Sequence, residues 1–358
     1  MNEKLRLLAS MMPENADAAL IISNTNRRYF TGFVSSLGYL LLTRNEAFLL
    51  TDSRYFEAAQ KQTSGCEVLL LSSLSKTLGE LIKSKNIKNV MLEASAFTLN
   101  EANKVISIAD ENGAKCQTTG ELDDLISEQR IIKTSDEIDK IILAQRITEN
   151  ALKETLPLIK EGVCERDLAL ELEYKMRKAG ADGISFDLIA IAGEKTSMPH
   201  GVPGDNCVKP GDFITFDIGA LCGGYHSDMT RTYAYGFVSD KQKRVYQIVY
   251  DAQKLGLEAV KSGVACKEVD SAARDYIYHA GFEGYFGHST GHGVGLDIHE
   301  MPAVSPKSET VLQSGMVVTV EPGIYLPGEF GVRIEDTVVV STDGCINLST
   351  LPKELIIL

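Results

Sequence analysis

Four carboxylates and a set of histidines in the second half of the chain have the types and spacing to hold metal. The segment FITFDIGALCGGYHSDMTRTYAYG carries Asp217 and Asp228 on two β-rich runs joined at Gly223-Gly224, a dipeptide that favours a two-residue hairpin turn. With those glycines as the turn, Asp217 faces Thr230. Asp228, two residues from Thr230, then projects from the same face as a diagonal neighbour, because side chains alternate with period two. The segment MVVTVEPGIYLPGEFGVRIEDTVVV repeats the device with Glu321 and Glu335. A strand from Val317 stops at Pro322-Gly323, and a returning strand over Val332 to Val340 puts Arg333, Glu335 and Thr337 on one face. Carboxylates aimed at one spot repel unless protons or cations intervene. Between the pairs, GHSTGHGVGLDIHEMP supplies His288, His292 and His299. Its glycines oppose a helix and permit close backbone approach. Four carboxylates and one imidazole suit two divalent ions, with manganese, cobalt or zinc ahead of any thiolate-bound metal.

Taken singly, each of these carboxylates is more simply a solvent-facing strand residue, and Gly223-Gly224 an ordinary turn; the specificity lies in the set. His226 and His279 read as surface or core histidines, and Tyr225, Tyr233 and Tyr235 as packing on a strand face. The run Thr215-Phe216-Asp217-Ile218-Gly219 is echoed 104 residues later by Thr319-Val320-Glu321-Pro322-Gly323. Each copy is followed by a strand with a second carboxylate, which predicts halves related by a pseudo-twofold axis.

The elements that must position these residues begin near Arg130 to Ser135. There Thr134 and Glu137 form a capping-box signature opening a long helix, with Ile138, Ile141, Ile142, Leu152 and Leu156 on one face. A second helix over Arg166 to Ala179 ends at Gly180, suited to a left-handed cap. The first part of the chain alternates apolar runs (Ala19 to Ile22, Tyr39 to Leu42, Ala47 to Leu50, Val68 to Leu71) with helix-like stretches such as Leu74 to Lys83, the pattern of an α/β domain. We expect a domain over residues 1–125, a linker over 126–133 and a catalytic domain over 134–358. All six histidines fall after residue 199, so the chemistry belongs to the second domain.

The 358 residues are too many for one core, and 44% apolar with 24% charged residues is ordinary globular usage. A formal charge of −13 repels nucleic acid and anionic lipid. The seven cysteines are scattered and never form C-x-x-C, which indicates neither a disulfide framework nor a thiolate zinc site and fits a reducing compartment. No run of eighteen apolar residues occurs, and the N-terminus lacks a signal-like apolar core, so a cytoplasmic protein without membrane or nucleic-acid partners is expected.

FDIGALCGGYHSDMTRT, GHSTGHGVGLDIHE, TVEPGIY and GVRIEDTVVV together resemble the metal-binding motifs of the pita-bread metallopeptidases, the family of methionine aminopeptidase, aminopeptidase P and prolidase. NRRYFTGFVSSLGYLLL and LLTDSRYFEAA resemble the creatinase-type N-terminal domain that methionine aminopeptidases lack. The resemblance implies an α/β creatinase-type domain followed by an α+β pita-bread domain. Its substrate would be a proline-containing peptide, its cofactor two divalent metal ions, manganese foremost, and its assembly a homodimer. It further implies that Asp217 binds one ion, that Asp228 and Glu335 bridge, and that His292 and Glu321 bind the other. Glu321 would also shuttle a proton to the departing nitrogen. His200, in SFDLIAIAGEKTSMPHG, and His299 would hydrogen-bond substrate and tetrahedral intermediate, His288 would line the pocket, and Arg333 would hold carboxylates from behind. Where many relatives, prolidases among them, carry arginine after the proline of HEMP, this chain has Ala303, so an aminopeptidase acting on Xaa-Pro-Yaa peptides is expected ahead of an Xaa-Pro dipeptidase. Metal-free creatinase-like enzymes and non-enzymatic binding proteins share the fold, but without an intact ligand set.

Overall fold

The computed structural model describes residues 1–358, which divide into two compact units, Met1–Arg130 and Ile131–Leu358. The first unit is α/β. Its strands β1 (Ala18–Ile21), β2 (Tyr39–Thr43), β3 (Ala47–Thr51), β4 (Glu67–Leu70), β5 (Asn89–Leu92) and β6 (Lys115–Gln117) form one sheet in the order β4-β3-β2-β1-β5-β6. The central β1-β2-β3 pairings are antiparallel and the outer ones parallel. The four apolar runs of the sequence become β1 to β4, each within a residue of its expected bounds. Helices α1 (Glu3–Met11), α2 (Asn24–Thr31), α3 (Phe56–Gln62), α4 (Leu74–Ser84), α5 (Leu99–Glu111) and α6 (Glu121–Ile131) complete the unit. Leu78, Ile82, Val105 and Ile108 of α4 and α5 bury against Leu20, Leu41, Leu50 and Val90. Most of the stretch expected as a linker, residues 126–133, is instead the end of α6. Leu122 and Ile126, four apart, give that helix a buried stripe.

The second unit opens with α7 (Ser135–Thr155), whose capping box is formed: the Thr134 and Glu137 side chains each bond the other's backbone N–H. Its buried face is rotated from the expected one. Ile141, Ala144, Thr148 and Leu152 are buried together with the polar Glu137 and Glu149, while Ile138 and Ile142 are only half-buried. The polar pair has partners that a hydrophobic pattern cannot show: Tyr225 donates its hydroxyl to Glu137 at 2.7 Å, and Thr350 donates to Glu149 at 2.7 Å. After α8 (Glu165–Lys178) come β7 (Gly183–Ile184), β8 (Ile189–Ala192), β9 (Phe213–Ile218), β10 (Ala220–Cys222), β11 (Tyr225–His226) and β12 (Met229–Ala234). Leu168, Leu172 and Met176 of α8 pack with Leu152 on Ala190, Ile214 and Phe216.

A second helix pair, α9 (Asp240–Ala259) and α10 (Cys266–Ile277), precedes β13 (Gly291–Gly293), β14 (Glu300–Val304), β15 (Val317–Val320), β16 (Gly323–Leu326), β17 (Phe330–Arg333), β18 (Asp336–Val340) and β19 (Cys345–Asn347). Two helices followed by a strand pair bearing carboxylates thus occur twice, the repeat expected of a pita-bread domain.

The structure corrects the reading of the cysteines. Cys164 and Cys207, 43 residues apart, meet across an isolated antiparallel bridge with Cα atoms 4.0 Å apart and are joined as a disulfide. Separation in sequence concealed a pairing that only the return of the chain to the start of α8 creates. The other five cysteines are free, and no helix is long and apolar enough to cross a membrane.

Candidate metal centre and active site

Asp217 stands opposite Thr230 in the β9–β12 ladder, the register expected from the turn. The turn itself is Gly223-Gly224, with φ of 57° and 84°, values that suit a type I′ hairpin. The same register continues through Leu221 opposite His226, but the ladder breaks at Gly219 and Asp228. A Cβ on Gly219 would lie 2.0 Å from the Ser227 carbonyl oxygen, so glycine is required where the chain bends and frees Asp228. The second hairpin breaks likewise. β15–β18 pairs Val320 with Asp336 and β16–β17 pairs Gly323 with Arg333, which sets Glu321 across from Glu335 in the gap. Thr337 donates to the Asp228 carbonyl at 2.8 Å and Thr230 donates to Glu335 at 2.7 Å. These bonds lock β12 against β18, so that the two hairpins deliver their carboxylates to one place.

The carboxylates are poorly neutralised by the protein. Asp217 Oδ1, Asp228 Oδ1 and Glu335 Oε1 are buried and accept no hydrogen bond. Burial, followed by the charge of neighbouring carboxylates, holds Asp228 and Glu335 well above the usual carboxyl range, and burial pushes Glu321 up to about 8. His292 lies against them, its Nε2 3.5 Å from Asp228 and 3.4 Å from Glu321. Burial lowers its pKa to about 4, so the ring is neutral and these contacts are not ion pairs. Its Nδ1 lies 3.1 Å from the Gly293 carbonyl, the arrangement that makes Nδ1 the donor and leaves the Nε2 lone pair facing the carboxylates. Asp228, His292 and Glu335 each present a donor atom within 4.8 Å of the others. Orphaned oxygens, mutual repulsion and an imidazole with a free lone pair fit divalent cations, and the donor set of hard oxygens with one nitrogen suits manganese, cobalt or zinc.

Arg333 is buried behind the centre. Its guanidinium donates to Asp217 at 2.6 Å, to the Tyr325 hydroxyl at 2.8 Å, to Thr230 Oγ1 at 3.1 Å and to the Pro199 carbonyl at 3.3 Å. Burial opposes its charge, but Tyr325, Asp217 and Glu321 outweigh that and raise its pKa. His288 Nε2 lies 2.8 Å from the Tyr325 hydroxyl, and burial, with Arg333 beside it, lowers its pKa to about 4. The His299 ring sits 4.3 Å from that of His292. His200, His288, His292, His299, Arg333 and the four carboxylates all line one cleft of about 610 Å³, walled on its apolar side by Phe186, Leu188, Ile189 and Ile298. His226 and His279 are not in it. Tyr325, which joins Arg333 to His288, was missed in the sequence. Its position four residues after Glu321 was a weak signal, because Pro322-Gly323 hides which way the following strand faces.

Buried carboxylates delivered by two hairpins, with imidazoles around an open cleft, fit a metal-dependent hydrolase. The chain belongs to metallopeptidase family M24: that family's profile matches residues 139–342, and the profile of the Creatinase/Prolidase N-terminal domain matches residues 4–132. Over 99% of both chains it is 39% identical to the Xaa-Pro dipeptidase of Pyrococcus horikoshii. Among solved structures it is similar to the Xaa-Pro dipeptidase from Bacillus anthracis, with a TM-score of 0.95, 40% identity and 99% of each chain covered. It is also similar to the X-Pro aminopeptidase from Thermotoga maritima, with a TM-score of 0.89, 37% identity and 96% and 98% of the two chains covered.

Proposed function

We propose that this metallopeptidase removes the N-terminal residue from peptides whose second residue is proline. The observation that carries the choice of longer peptides over dipeptides is Ala303, which lines the cleft directly across the β13–β14 ladder from His292. Arg333 is the only arginine or lysine among the lining residues, and Asp217, Tyr325 and the Pro199 carbonyl already occupy it. The free carboxylate of an Xaa-Pro dipeptide would lack a charge-assisted partner worth about 1.5–3 kcal/mol, roughly one to two powers of ten in rate. An amide at that position loses nothing comparable. The second reading, an Xaa-Pro dipeptidase, is favoured by the names of the Pyrococcus and Bacillus relatives. Comparing kcat/KM for an Xaa-Pro dipeptide with that for the tripeptide extended by one residue decides between them: a higher value for the tripeptide supports our reading and a clear preference for the dipeptide reverses it.

In this reading Asp217, Asp228, His292, Glu321 and Glu335 would hold two divalent ions, manganese foremost. When bound, the ions supply a water of lowered pKa and polarise the scissile carbonyl. His200 and His299, open to the cleft, donate to the substrate and to the developing oxyanion. Glu321 passes a proton to the departing proline nitrogen, while Arg333 keeps Asp217 in place and His288 with Tyr325 forms the wall. Proline, lacking an N–H, can make only contacts of shape and carbonyl at its ring, which suits the apolar side of the cleft. The cytoplasm is the proposed location. Five free cysteines favour it and the Cys164–Cys207 bond counts against it. A homodimer, proposed from the family resemblance, is checked by light scattering.

A further inference from the structure

His200 is exposed and takes part in no hydrogen bond, so the position of its backbone sets the region its ring can reach. That backbone belongs to the segment between Ala192, the last residue of β8, and Asn206. One buried side chain ties both ends of this segment together. Glu165, the first residue of α8 and fully buried, accepts at Oε1 from Ala192 N at 2.9 Å and from Asn206 Nδ2 at 3.0 Å. At Oε2 it accepts from Lys195 Nζ at 2.7 Å and from Gly204 N at 3.0 Å. Asn206 Nδ2 also reaches the Ala192 carbonyl at 3.0 Å, closing the loop on itself. Around this carboxylate the Glu165 N–H donates to the Asn206 carbonyl, the Arg166 N–H donates to the Gly204 carbonyl, and Cys164 is bonded to Cys207. The middle of the loop is held from the catalytic side: Gly331 N donates to Thr196 Oγ1 at 2.9 Å, and Arg333 donates to the carbonyl of Pro199, the residue before His200.

We propose that Glu165 is a positioning residue for the reaction, its carboxylate fixing both ends of the 192–206 loop and thereby the stand of His200 over the metal centre. A carboxylate is required because four donors converge on it, and no neutral isostere accepts all four; an amide in its place turns one donor group against another. The inference rests on the reading that His200 contacts substrate, and it predicts that the effects of the two residues merge.

The test is a double-mutant cycle on kcat for Xaa-Pro-Yaa hydrolysis, using Glu165→Gln, His200→Ala and the pair, with activity normalised to the fraction of metal-loaded protein. Glu165→Gln alone should lower kcat about tenfold, the scale of a sub-ångström misplacement. In the His200→Ala background it should change kcat by less than about twofold, because nothing remains for it to position. Asn206→Ala, at an exposed site and removing one of the four bonds to Glu165 together with the bond to the Ala192 carbonyl, should show a smaller loss that also vanishes without His200, so the cycle can be closed even if Glu165→Gln does not fold. Equal fold-losses in both backgrounds would mean a merely structural role and overturn the proposal. If His200→Ala alone leaves kcat unchanged, the reading of His200 falls, and the proposal falls with it by a separate, recognisable result.

Discussion

Each unpartnered oxygen at the centre is a free-energy cost that cations remove. Asp228 and Glu335 sit buried beside other carboxylates with one oxygen each unsatisfied, the state expected of groups that would hold cations. Replacing either by alanine should abolish two-ion binding, seen as lost stoichiometry in metal titration, and lower kcat/KM by at least about a hundredfold, the scale of losing preorganised charge stabilisation. His226→Ala, outside the cleft, should leave both near wild type; a loss equal to that of Asp228→Ala would show the ligand assignment to be wrong. The same residues set a pH dependence in the metal-free protein. Glu321 is raised from 4.5 to about 8, so the folded state holds its proton more tightly than the unfolded, and stability drops across that interval as pH rises. His288 and His292 are depressed from 6.5 to about 4; their contribution is present above 6.5 and lost as pH falls towards 4. Between pH 6.5 and 8 only the carboxylates act, so the metal-free Tm should decline there, and added manganese should raise Tm more at pH 8 than at pH 6.5. A metal-free Tm that is flat or rising over this range would contradict the burial account.

At the scale of elements, the hairpins show what sequence can and cannot tell. The register of Asp217 against Thr230 was legible because two adjacent glycines fix the turn and the turn fixes the register. The stop of the strand from Val317 at Pro322-Gly323 was legible too, because proline cannot continue the ladder, but the break at Gly219 was not, because it depends on what approaches the backbone from elsewhere. At Gly219 that neighbour is Ser227, with Ser185 behind it. Gly219→Ala should therefore cost at least about 3 kcal/mol, the upper end of overpacking, whereas Gly344→Ala, with open space around it and an ordinary φ, should be near neutral. Denaturant melts of the two variants check this, and equal midpoints would refute the close-approach argument. Hydrophobic pattern also misplaced the face of α7, since the partners of Glu137 and Glu149 lie far along the chain. A buried ion network adds a further constraint. Arg231 donates to Asp336 at 2.8 Å and to the Leu351 carbonyl at 2.9 Å, and Lys353 reaches Asp336 at 2.6 Å. Arg231→Ala should destabilise by about 3–5 kcal/mol by leaving that carboxylate without its main partner, measurable in the same melts.

For the molecule as a whole, the family and its five candidate ligand positions could be read from motifs because metal chemistry restricts residue type more tightly than packing does. The Cys164–Cys207 bond and the Glu165 clamp could not, since each joins segments about 40 residues apart through contacts with no periodicity. In the proposed function the preference for longer peptides rests on Ala303, so Ala303→Arg should raise dipeptide kcat/KM by roughly one to two powers of ten while changing tripeptide turnover little. The proposed function requires two divalent ions at the carboxylate cluster. Its most direct test is to strip the protein with a chelator, then titrate manganese while following hydrolysis of an Xaa-Pro-Yaa peptide and the bound metal together. Activity should be absent in the stripped protein and rise to a plateau at two ions per chain; full activity in the stripped protein would contradict the account.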